Sequence, residues 1–404
     1  MKAVILAAGE GLRCRPLTLT RSKVMLPVAD RPILEHVIRS LEQNDIKDIL
    51  LIVGYEKERI MNYFKDGVDF GVNIQYVEQK TQLGTAHAIE QARSELAGEH
   101  EFLALNGDNF IEPQVISDLI ESRRGDATIL TVKTEHVSGY GVVRAEGTKV
   151  LEILENPVSE VSHLVNTGIY YFSSRIFDFI GQTPLSPKGE YAITDTLQKM
   201  IESGTEVSMA ATRSWWLDAV YAWDLLRLNS VTLGKMGKNV PSTAVEDGAY
   251  IKGNVSIGRN TIIRSGCYIV GPVMIGDNCD IGPNAVILPS TSIGNNVSVD
   301  AFTNIRNSII MNDVRIGSHG YVSDSVIGSN CHMGPYFITE TGTNLNIIMN
   351  EELHQAGKLG TIIGDDTDVG HRVLVKAGIM ISINCRIGSG NIVDQALHRG
   401  TLVL

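Results

Sequence analysis

The sequence predicts two domains in series, an α/β domain with a mainly parallel sheet and then a parallel β-helix. The chain has 404 residues, which is too long for one ordinary hydrophobic core. Strand and helix patterns alternate up to about residue 225, and aliphatic residues recur at every sixth position from residue 251. We therefore place the α/β domain at 1–225, a linking helix and loop at 226–245, and the β-helix at 246–404.

The first domain alternates short apolar runs with amphipathic patterns. The apolar runs, which predict strands, lie at 3–8, 48–55, 73–79, 101–106 and 127–133. The helical patterns between them include residues 32–44, where apolar side chains recur at helical spacing. Alternation of this kind indicates βαβ units, in which ligands bind at the carboxyl ends of the strands.

A six-residue repeat predicts the second domain. Ten consecutive positions of this period are aliphatic: Ile251, Ile257, Ile263, Ile269, Ile275, Ile281, Ile287, Ile293, Val299 and Ile305. The pattern resumes at Ile363, Val369, Val375, Ile381, Ile387 and Val393. This period is typical of a parallel β-helix, whose stacked coils bury the repeated residue. Four cysteines follow a repeat residue by four positions and are predicted as small core residues: Cys267, Cys279, Cys331 and Cys385.

The repeat is interrupted twice. A mild shift of register falls between about residues 305 and 330, and a larger interruption spans roughly 339–361. A segment extruded from a regular coil is either a functional site or a tolerated surface insertion. The sequence favours neither of these two interpretations.

Composition excludes several classes of function. The net charge of −11 argues against a nucleic-acid partner, because a phosphate backbone needs a basic surface. No apolar run approaches the roughly 20 residues of a membrane span, and the N-terminal run suits a buried strand better than a targeting segment. The five cysteines form no CxxC pair, so neither a zinc site nor a disulfide framework is indicated. We expect a cytoplasmic protein that does not bind membranes.

The stretch LAAGEGLRCRPLT at residues 6–18 predicts a phosphate-binding loop. A dinucleotide fingerprint fails because Cys14 stands where its third glycine would be, and no Gly-Lys-Ser/Thr follows for a P-loop. Four cations lie close together, and no acidic residue falls between Gly11 and Ala29: Arg13, Arg15, Arg21 and Lys23. Glycine lets backbone N–H groups approach phosphate oxygens, and the cations neutralise a polyphosphate. The alternative is a solvated basic loop.

This stretch, with RSKVMLPVADRPILEH after it, resembles the signature of sugar-1-phosphate nucleotidylyltransferases. The resemblance continues in order through QLGTAHAI, LNGDN, GYGVV, ILENP, VNTGIYYF, GEYAITD and WWLDAVYAWDLL, at residues 82–226. With the hexapeptide tail, the whole is most similar to the bifunctional enzymes that make UDP-N-acetylglucosamine. The resemblance implies a Rossmann-like nucleotidyltransferase domain followed by a left-handed β-helix.

The resemblance also implies site residues. Those that line the nucleotide are Leu6, Ala7, Ala8, Gly9, Gly11 and Gly107, and those that contact the base are Gln79, Gly84 and Thr85. Arg13 and Lys23 would neutralise phosphates, while Asp108 and Asp218 would hold Mg²⁺. The sugar-binding positions are Gly141, Glu155 and Asn166. The reaction implied is nucleotidyl transfer from a triphosphate, UTP in the first instance, to N-acetylglucosamine 1-phosphate or glucose 1-phosphate.

Four positions depart from the family pattern and leave the sugar and base open: Leu12, Ser22, Asn156 and Val220. dTDP-, ADP- and GDP-sugar formation share these motifs. The same two-domain layout also occurs in regulatory subunits without catalysis, but the presence of Arg13, Lys23, Asp108 and Asp218 favours the enzyme.

The β-helix is either a second enzyme or a scaffold. The resemblance implies acetyl-CoA-dependent N-acetylation of an amino-sugar 1-phosphate, with His319 as the candidate general base. Aligning Tyr321 and Asp324 puts Ser318 at the place of the family's histidine, however, and leaves His319 one residue away. Glu340 and Thr341 stand where the family has an asparagine motif. A β-helix of this kind implies a homotrimer.

Overall fold

The computed structural model describes residues 1–135, 137, 139–155, 162–186, 189–241, 245–349 and 352–404. The chain divides into two compact units. The first unit comprises residues 1–10 and 33–218, and the second unit comprises residues 11–32 and 219–404. The segment 11–32, which we call the loop segment, therefore belongs with the C-terminal part of the chain.

The elements up to residue 235 follow the predicted alternation at first and then change to consecutive strands. The strands are β1 (Lys2–Ala7), β2 (Pro27–Val28), β3 (Arg31–Pro32), β4 (Asp48–Val53), β5 (Asn73–Glu78), β6 (Glu101–Asn106), β7 (Asn109–Ile111), β8 (Ala127–Lys133), β9 (Gly141–Glu146), β10 (Lys149–Glu155), β11 (Leu164–Ser173), β12 (Val207–Thr212) and β13 (Trp216–Asp218). The helices are α1 (Ile33–Glu42), α2 (Lys57–Phe64), α3 (Thr85–Gln91), α4 (Pro113–Ser122), α5 (Ile176–Ile180), α6 (Ile193–Glu202) and α7 (Asp224–Lys235).

Within the described residues, the first unit is built on a nine-stranded sheet in the order β5-β4-β1-β6-β11-β8-β12-β10-β9. Strands β5, β4, β1 and β6 are parallel, as expected. The expectation of a mainly parallel sheet is wrong beyond β6, because β11 runs antiparallel to both of its neighbours and β9 and β10 form an antiparallel pair. Between residues 141 and 173, the described residues form strands β9, β10 and β11 one after another, with no helix described between them. A parallel pairing would need a helix or another crossover to return the chain.

The second unit joins the loop segment and α7 to the β-helix. Single-turn 3-10 helices occupy Leu12–Cys14, Leu17–Leu19 and Lys23–Met25. After α7, Asn239 makes the first bridge to a strand of the β-helix, Ser256. The predicted domain boundaries at 225 and 246 stay a prediction.

The β-helix is left-handed and consists of short strands of two or three residues with one long hairpin. Its strands before the hairpin are β14 (Tyr250–Lys252), β15 (Val255–Ile257), β16 (Ile262–Ile263), β17 (Tyr268–Val270), β18 (Val273–Ile275), β19 (Asp280–Ile281), β20 (Val286–Ile287), β21 (Thr291–Ile293), β22 (Ser298–Val299), β23 (Asn304–Arg306), β24 (Ile309–Ile310), β25 (Arg315–Ile316), β26 (Tyr321–Ser323), β27 (Val326–Ile327), β28 (His332–Met333) and β29 (Ile338–Thr339). The remaining strands are β30 (Gly342–Met349), β31 (Glu352–Leu359), β32 (Ile362–Ile363), β33 (Asp368–Val369), β34 (Leu374–Val375), β35 (Met380–Ile381), β36 (Arg386–Ile387), β37 (Ile392–Val393) and β38 (Leu402–Val403).

The short strands stack into three parallel sheets in the described part of the chain. The first β-helix sheet runs from β14 to β37, the second from β15 to β35 and the third from β16 to β38. From Ile257 onward, the repeat residues before the first interruption lie in one continuous buried core. The four predicted core cysteines lie in that core, which confirms the prediction, and burial raises the pKa of Cys279 to about 11.

Both interruptions of the repeat have a structural counterpart. Paired strands are 18 residues apart at Ile257 and Ile275 but 17 apart at Asn304 and Tyr321, so the coils shorten by one residue there. The second interruption is the antiparallel hairpin of β30 and β31. None of the helices in the described residues is long and apolar enough to cross a membrane.

Candidate functional site

The carboxyl edge of the parallel strands gathers the nucleotide-binding candidates of the first unit. Ala7 lies beside Val53 of β4, and Leu6 lies beside Asn106 of β6. The Gly107 N–H donates to the Leu6 carbonyl at 2.9 Å, which continues the pairing past the end of β6. The chain around Ala8 and Gly9 therefore leaves the sheet next to Gly107, as expected for ligand binding at this edge.

A turn at the same edge holds the three predicted base contacts. Gln79 is buried, and its side-chain amide contacts the Gly84 carbonyl at 3.2 Å and His87 Nδ1 at 2.9 Å. Gly84 has φ 102 and ψ 178, and a Cβ there would lie 2.5 Å from the Tyr191 carbonyl oxygen. Only glycine fits such a backbone. The Thr85 hydroxyl accepts from the Ile193 N–H at 2.9 Å, so these residues are fixed before any ligand binds.

The two predicted metal ligands lie at a pair of neighbouring strands. Asp108 immediately precedes β7, and Asp218 of β13 is directly opposite Asn109 of β7. The Thr167 carbonyl accepts from Asn109 Nδ2 at 2.9 Å and from the Trp216 indole N–H at 3.1 Å, which fixes both strands. Two half-buried carboxylates near each other offer the hard oxygen ligands that Mg²⁺ prefers.

No group of three or more acidic, histidine or cysteine side chains among the described residues is arranged to hold a metal ion. Two carboxylates are nevertheless enough in a site where phosphate and water oxygens supply the other ligands, because Mg²⁺ retains several waters. The donor set of Asp108 and Asp218 therefore fits a magnesium ion bound together with a phosphorylated substrate.

The predicted sugar-binding residues come from adjacent strands. Glu155 of β10 is opposite Gly141 of β9, and a Cβ on Gly141 would lie 3.1 Å from Glu155 Oε1. Asn166 donates from Nδ2 to the Tyr170 hydroxyl at 2.8 Å. Burial is the main reason that the pKa of Tyr170 is raised, the Asn166 bond lowers it, and the charge of Glu155 raises it. Asn166 thus contacts the buried Tyr170 hydroxyl, and Gly141 and Glu155 lie opposite each other on the neighbouring pair of strands.

The phosphate-binding candidates of the loop segment belong to the second unit. Gly11 has φ 81, and a Cβ on it would lie 2.5 Å from Lys23 Cβ, so the Lys23 side chain crosses directly over Gly11. Arg13 is exposed. Burial raises the pKa of Asp224, and the nearby charge of Lys23 partly offsets that increase. The loop segment therefore holds Lys23 against Gly11, and the charge of Lys23 acts on the carboxylate of Asp224 in α7.

One of the four cations does not face solvent. Arg21 is 8% exposed and pairs with Asp365 of the β-helix. The expectation that Arg21 joins a positive patch for phosphate is wrong, because its charge is already neutralised by a buried carboxylate. Of the departures from the family pattern, Leu12 is exposed, Ser22 is buried and Val220 is half-buried, while Asn156 lies outside the described residues.

His319 lies at an exposed corner of the β-helix in the left-handed conformation, with φ 57. Its ring stacks between Phe302 and Tyr336, at centroid distances of 5.0 and 4.9 Å. Arg372 lies over the ring of Tyr336 at 5.8 Å. We call Phe302, His319, Tyr336 and Arg372 the corner ladder. Stacking uses the ring faces of His319, and the nitrogens lie at the ring edge.

Some residues of these sites could not be found from motifs. Tyr170 and Thr167 lie in the quoted stretch VNTGIYYF, but their roles depend on the side chains that contact them. Asp324 is fully buried and accepts from Asn307, Ser323 and Thr341, and Lys358 of the hairpin lies 3.0 Å from it. In the sequence, Asp324 served only to align the stretch around His319 with the family pattern.

Comparisons with known proteins extend over the whole chain. A family profile described as nucleotidyl transferase matches residues 2–232, and one described as the GMPPB C-terminal domain matches residues 269–385. The chain is 39% identical to the bifunctional protein GlmU of Methanococcus maripaludis, over 100% of this chain and 97% of that protein. It is 35% identical to the low-salt glycan biosynthesis nucleotidyltransferase Agl11 of Haloferax volcanii, over 83% of this chain and 94% of that protein.

A solved structure is similar to part of the chain. The crystal structure of a Bacillus anthracis protein assigned as a glucose-1-phosphate thymidylyltransferase, in complex with sucrose, matches with a TM-score of 0.52 and 29% identity. The match covers 57% of this chain and 94% of that chain.

Proposed function

The chain belongs to the nucleotidyl transferase family, and from that premise we propose that it transfers a nucleotidyl group from a nucleoside triphosphate to a sugar 1-phosphate and releases pyrophosphate. We propose UTP as the triphosphate and N-acetylglucosamine 1-phosphate or glucose 1-phosphate as the acceptor. The observation that carries the proposal is the pairing of β13 with β7, which brings Asp218 next to Asp108 at the edge where Gly107 follows β6.

The chemistry needs positioning and charge neutralisation rather than a nucleophilic side chain. A phosphate oxygen of the sugar phosphate attacks the α-phosphorus of the triphosphate, the bond to the β-phosphate oxygen breaks, and pyrophosphate leaves. Both reactants are anionic, so repulsion between them is a large part of the barrier. In our proposal Arg13 and Lys23 neutralise the phosphates, while Gln79 and Gly84 hold the base.

Asp108 and Asp218 are the residues that would hold Mg²⁺. The ion would neutralise phosphate charge and orient the phosphate oxygens. At the sugar end, Asn166 orients the Tyr170 hydroxyl and Glu155 presents a carboxylate beside Gly141, so sugar hydroxyls would find both donors and acceptors.

The test is a pyrophosphate-release assay on the full chain with a panel of triphosphates and hexose 1-phosphates. We expect release only when Mg²⁺, a triphosphate and a sugar 1-phosphate are all present. The panel also decides between UDP-sugar formation and the dTDP-, ADP- or GDP-sugar alternatives. Absence of release from every pairing would refute the enzyme and favour a regulatory subunit.

A second candidate activity is N-acetylation of an amino-sugar 1-phosphate by acetyl-CoA in the β-helix. It is favoured by likeness along the whole chain to relatives named bifunctional and by the exposed imidazole of His319, whose ring edge faces away from its stacking partners. As general base, His319 would take the proton of the attacking amine. The test is thiol release from acetyl-CoA with glucosamine 1-phosphate, compared with His319→Ala. Release that is unaffected by the substitution excludes His319 as the base.

We also propose that the protein is a homotrimer joined through the first β-helix sheet. The outward side chains of this sheet include exposed apolar residues along much of its length: Tyr250 at 53%, Tyr268 at 44%, Ile338 at 40% and Ile392 at 63%. The third sheet is polar outward from β19 to β36, with Asp280, Arg315 and His332 among its residues. The second sheet is covered within the unit, because Ile309 and Ile362 are buried and α7 lies against β21.

An apolar row of this length needs a partner of equal length, and a second copy of the same β-helix supplies one. Light scattering should give three times the chain mass of 44.0 kDa. Tyr250→Glu with Tyr268→Glu should give a monomer, whereas Ser298→Glu on the polar sheet should not change the mass. A monomeric wild-type protein would contradict the proposal.

A further inference from the structure

Arg21 and Asp365 form a buried ion pair within the second unit. Their side chains are 10% and 6% exposed. Arg21 donates to the Asp365 carboxylate and to Ser329 Oγ at 3.2 Å. The same carboxylate accepts from the Thr20 hydroxyl at 2.6 Å and from the Ser329 N–H at 2.8 Å. The pair therefore joins two consecutive residues of the loop segment to the β-helix.

The β-helix side of this contact spans adjacent coils. Met311, Ser329 and Asp365 follow β24, β27 and β32, which are neighbours in the second β-helix sheet. Arg21 donates to Met311 Sδ at 3.4 Å as well. A residue held by several stacked coils cannot shift unless the coils move, because coils of a β-helix are joined by continuous backbone hydrogen bonds.

The loop segment is attached to the β-helix at a second point. The Ala29 N–H donates to Asn229 Oδ1 at 2.9 Å, and Asn229 Nδ2 donates to the Ser290 carbonyl at 3.0 Å. Asn229, on α7, is fully buried. One amide therefore bridges the end of the loop segment and a corner of the β-helix.

Lys23 lies between these two attachments. Ser22, next to Arg21, is fully buried, and Lys23 begins a single-turn 3-10 helix. The Lys23 side chain then crosses over Gly11, where a Cβ would come within 2.5 Å of Lys23 Cβ. The position of the Lys23 side chain is thus determined by backbone that is fixed on both sides.

We propose that Arg21 and Asp365 are positioning residues for nucleotidyl transfer: the β-helix holds the loop segment so that Lys23 is oriented for phosphate. The proposal rests on the proposed function. Burying two charges gives little stability over an apolar pair, because the loss of hydration offsets the attraction. What the ion pair supplies is direction, since the planar guanidinium donates its N–H groups only in fixed directions, toward Asp365 and Ser329.

The test compares full-length variants in the pyrophosphate-release assay. Arg21→Met with Asp365→Asn removes the charges together and keeps an acceptor for Thr20 and Ser329. We expect kcat to fall by at least about tenfold, as misplaced catalytic groups do, while KM for the sugar 1-phosphate stays within about twofold. Arg21→Lys, which retains the charge, should recover part of kcat.

The matched control is Arg259→Met with Asp277→Asn, which removes a more exposed ion pair of the same residue types from the same β-helix, in which Arg259 Nε and Nη2 both donate to Asp277 Oδ2. This variant should keep the wild-type kcat. Equal kcat in the test and control variants would overturn the proposal, and so would a rise in KM alone or a thermal unfolding shift without a change in kcat.

A second readout keeps the inference separate from the proposed function. Hydrogen exchange of the full chain should show amides of residues 12–26 exchanging at least about tenfold faster in the Arg21→Met, Asp365→Asn variant, with the amides of α1 unchanged. If the wild-type protein releases no pyrophosphate, the proposed function fails. Unchanged exchange at residues 12–26 shows instead that the ion pair does not hold the loop segment, whatever the activity.

Discussion

The carboxyl edge of the first unit and the corners of the β-helix both place residues at positive φ, but they do so with different side chains. At the edge these positions include glycines such as Gly84 and Gly168, and a Cβ on either would come within 2.5 Å of a neighbouring atom. At the corners they include asparagines, aspartates and the aromatic side chains of Phe302 and Tyr336. At these glycines there is no room for a side chain, whereas at the corners of the β-helix side chains lie stacked on one another.

The difference follows from what surrounds each backbone. At the edge, another segment occupies the space, such as Tyr191 at Gly84 or the Asn106 amide at Gly168. At the corners, the next coil repeats the same conformation, so equivalent side chains lie above one another. Asn260, Asn278 and Asn296 illustrate this, with each amide donating to the next at 3.2 and 3.3 Å. We therefore expect substitutions to be costly at the edge and mild at the corners, except where a corner residue is buried.

The largest effect is expected for Asp108→Asn at the edge. Replacing one carboxylate oxygen by an amide group weakens the binding of Mg²⁺. The charge that builds up on the phosphates is then less well neutralised, so kcat for pyrophosphate release should fall by about 100- to 1000-fold. Asp69→Asn, at an exposed carboxylate that pairs with Lys65, is the control and should keep wild-type kcat. A loss of less than about threefold in Asp108→Asn would remove Asp108 from the metal site.

Gly84→Ala should destabilise the fold and weaken triphosphate binding. The backbone at φ 102 and ψ 178 is almost confined to glycine, and the added methyl would meet the Tyr191 carbonyl, so the expected cost is about 3 kcal/mol. Gly98→Ala is the matched control, because Gly98 has φ 91 with open space around the added Cβ. That variant should lose only about 1–2 kcal/mol. Equal unfolding free energies for the two variants would show that crowding at Gly84 contributes nothing.

The sequence predicted the residues at the carboxyl edge of the first unit more completely than it predicted long-range contacts such as the Arg21–Asp365 ion pair. Asp108 follows a strand signal, so its place at the edge could be read from the local pattern, while its role as a metal ligand stays a prediction. The six-residue period likewise gave the inward residues, because each coil repeats the same packing. Arg21 was misinterpreted since its partner lies 344 residues away, and neither residue alone shows that it is buried. The antiparallel half of the sheet was missed because strand signals carry no direction.

Asp324→Asn tests a corner residue that is buried rather than exposed, so the corner rule does not apply to it. Burial raises the pKa of Asp324, but hydrogen bonds from Asn307, Ser323, Lys358 and Thr341 outweigh that and leave it below its ordinary value. The ionised carboxylate therefore stabilises the fold above the unfolded-state pKa of about 3.9, and this contribution is lost as pH falls through the lower folded-state pKa. The substitution should cost about 2 kcal/mol at pH 7.

Thermal unfolding of Asp324→Asn between pH 3 and 8 should show the difference from wild type shrinking in the acid range. Asp313→Asn is the control, because Asp313 is also a corner residue, with φ 60, but is exposed and accepts one amide bond from Asn296. It should show little change at any pH. A difference for Asp324→Asn that is constant with pH would mean that the charge of Asp324 does not stabilise the fold.

The smallest effect is expected for Phe302→Asn in the corner ladder. The preceding coil has Asn284 at the equivalent corner, with φ 57, so the new side chain matches a conformation the repeat already uses. Loss of the stack on His319 costs about 0.5–1.5 kcal/mol, and asparagine recovers part of this because it tolerates positive φ better than phenylalanine does. The free energy of unfolding should therefore change by no more than about 1 kcal/mol, and pyrophosphate release should be unchanged.

Phe302→Pro is the opposing control, since proline requires φ near about −65° and removes the N–H that donates to the Pro283 carbonyl. If Phe302→Asn were as damaging as Phe302→Pro, the corners would depend on particular side chains, and the contrast with the sheet edge would fail.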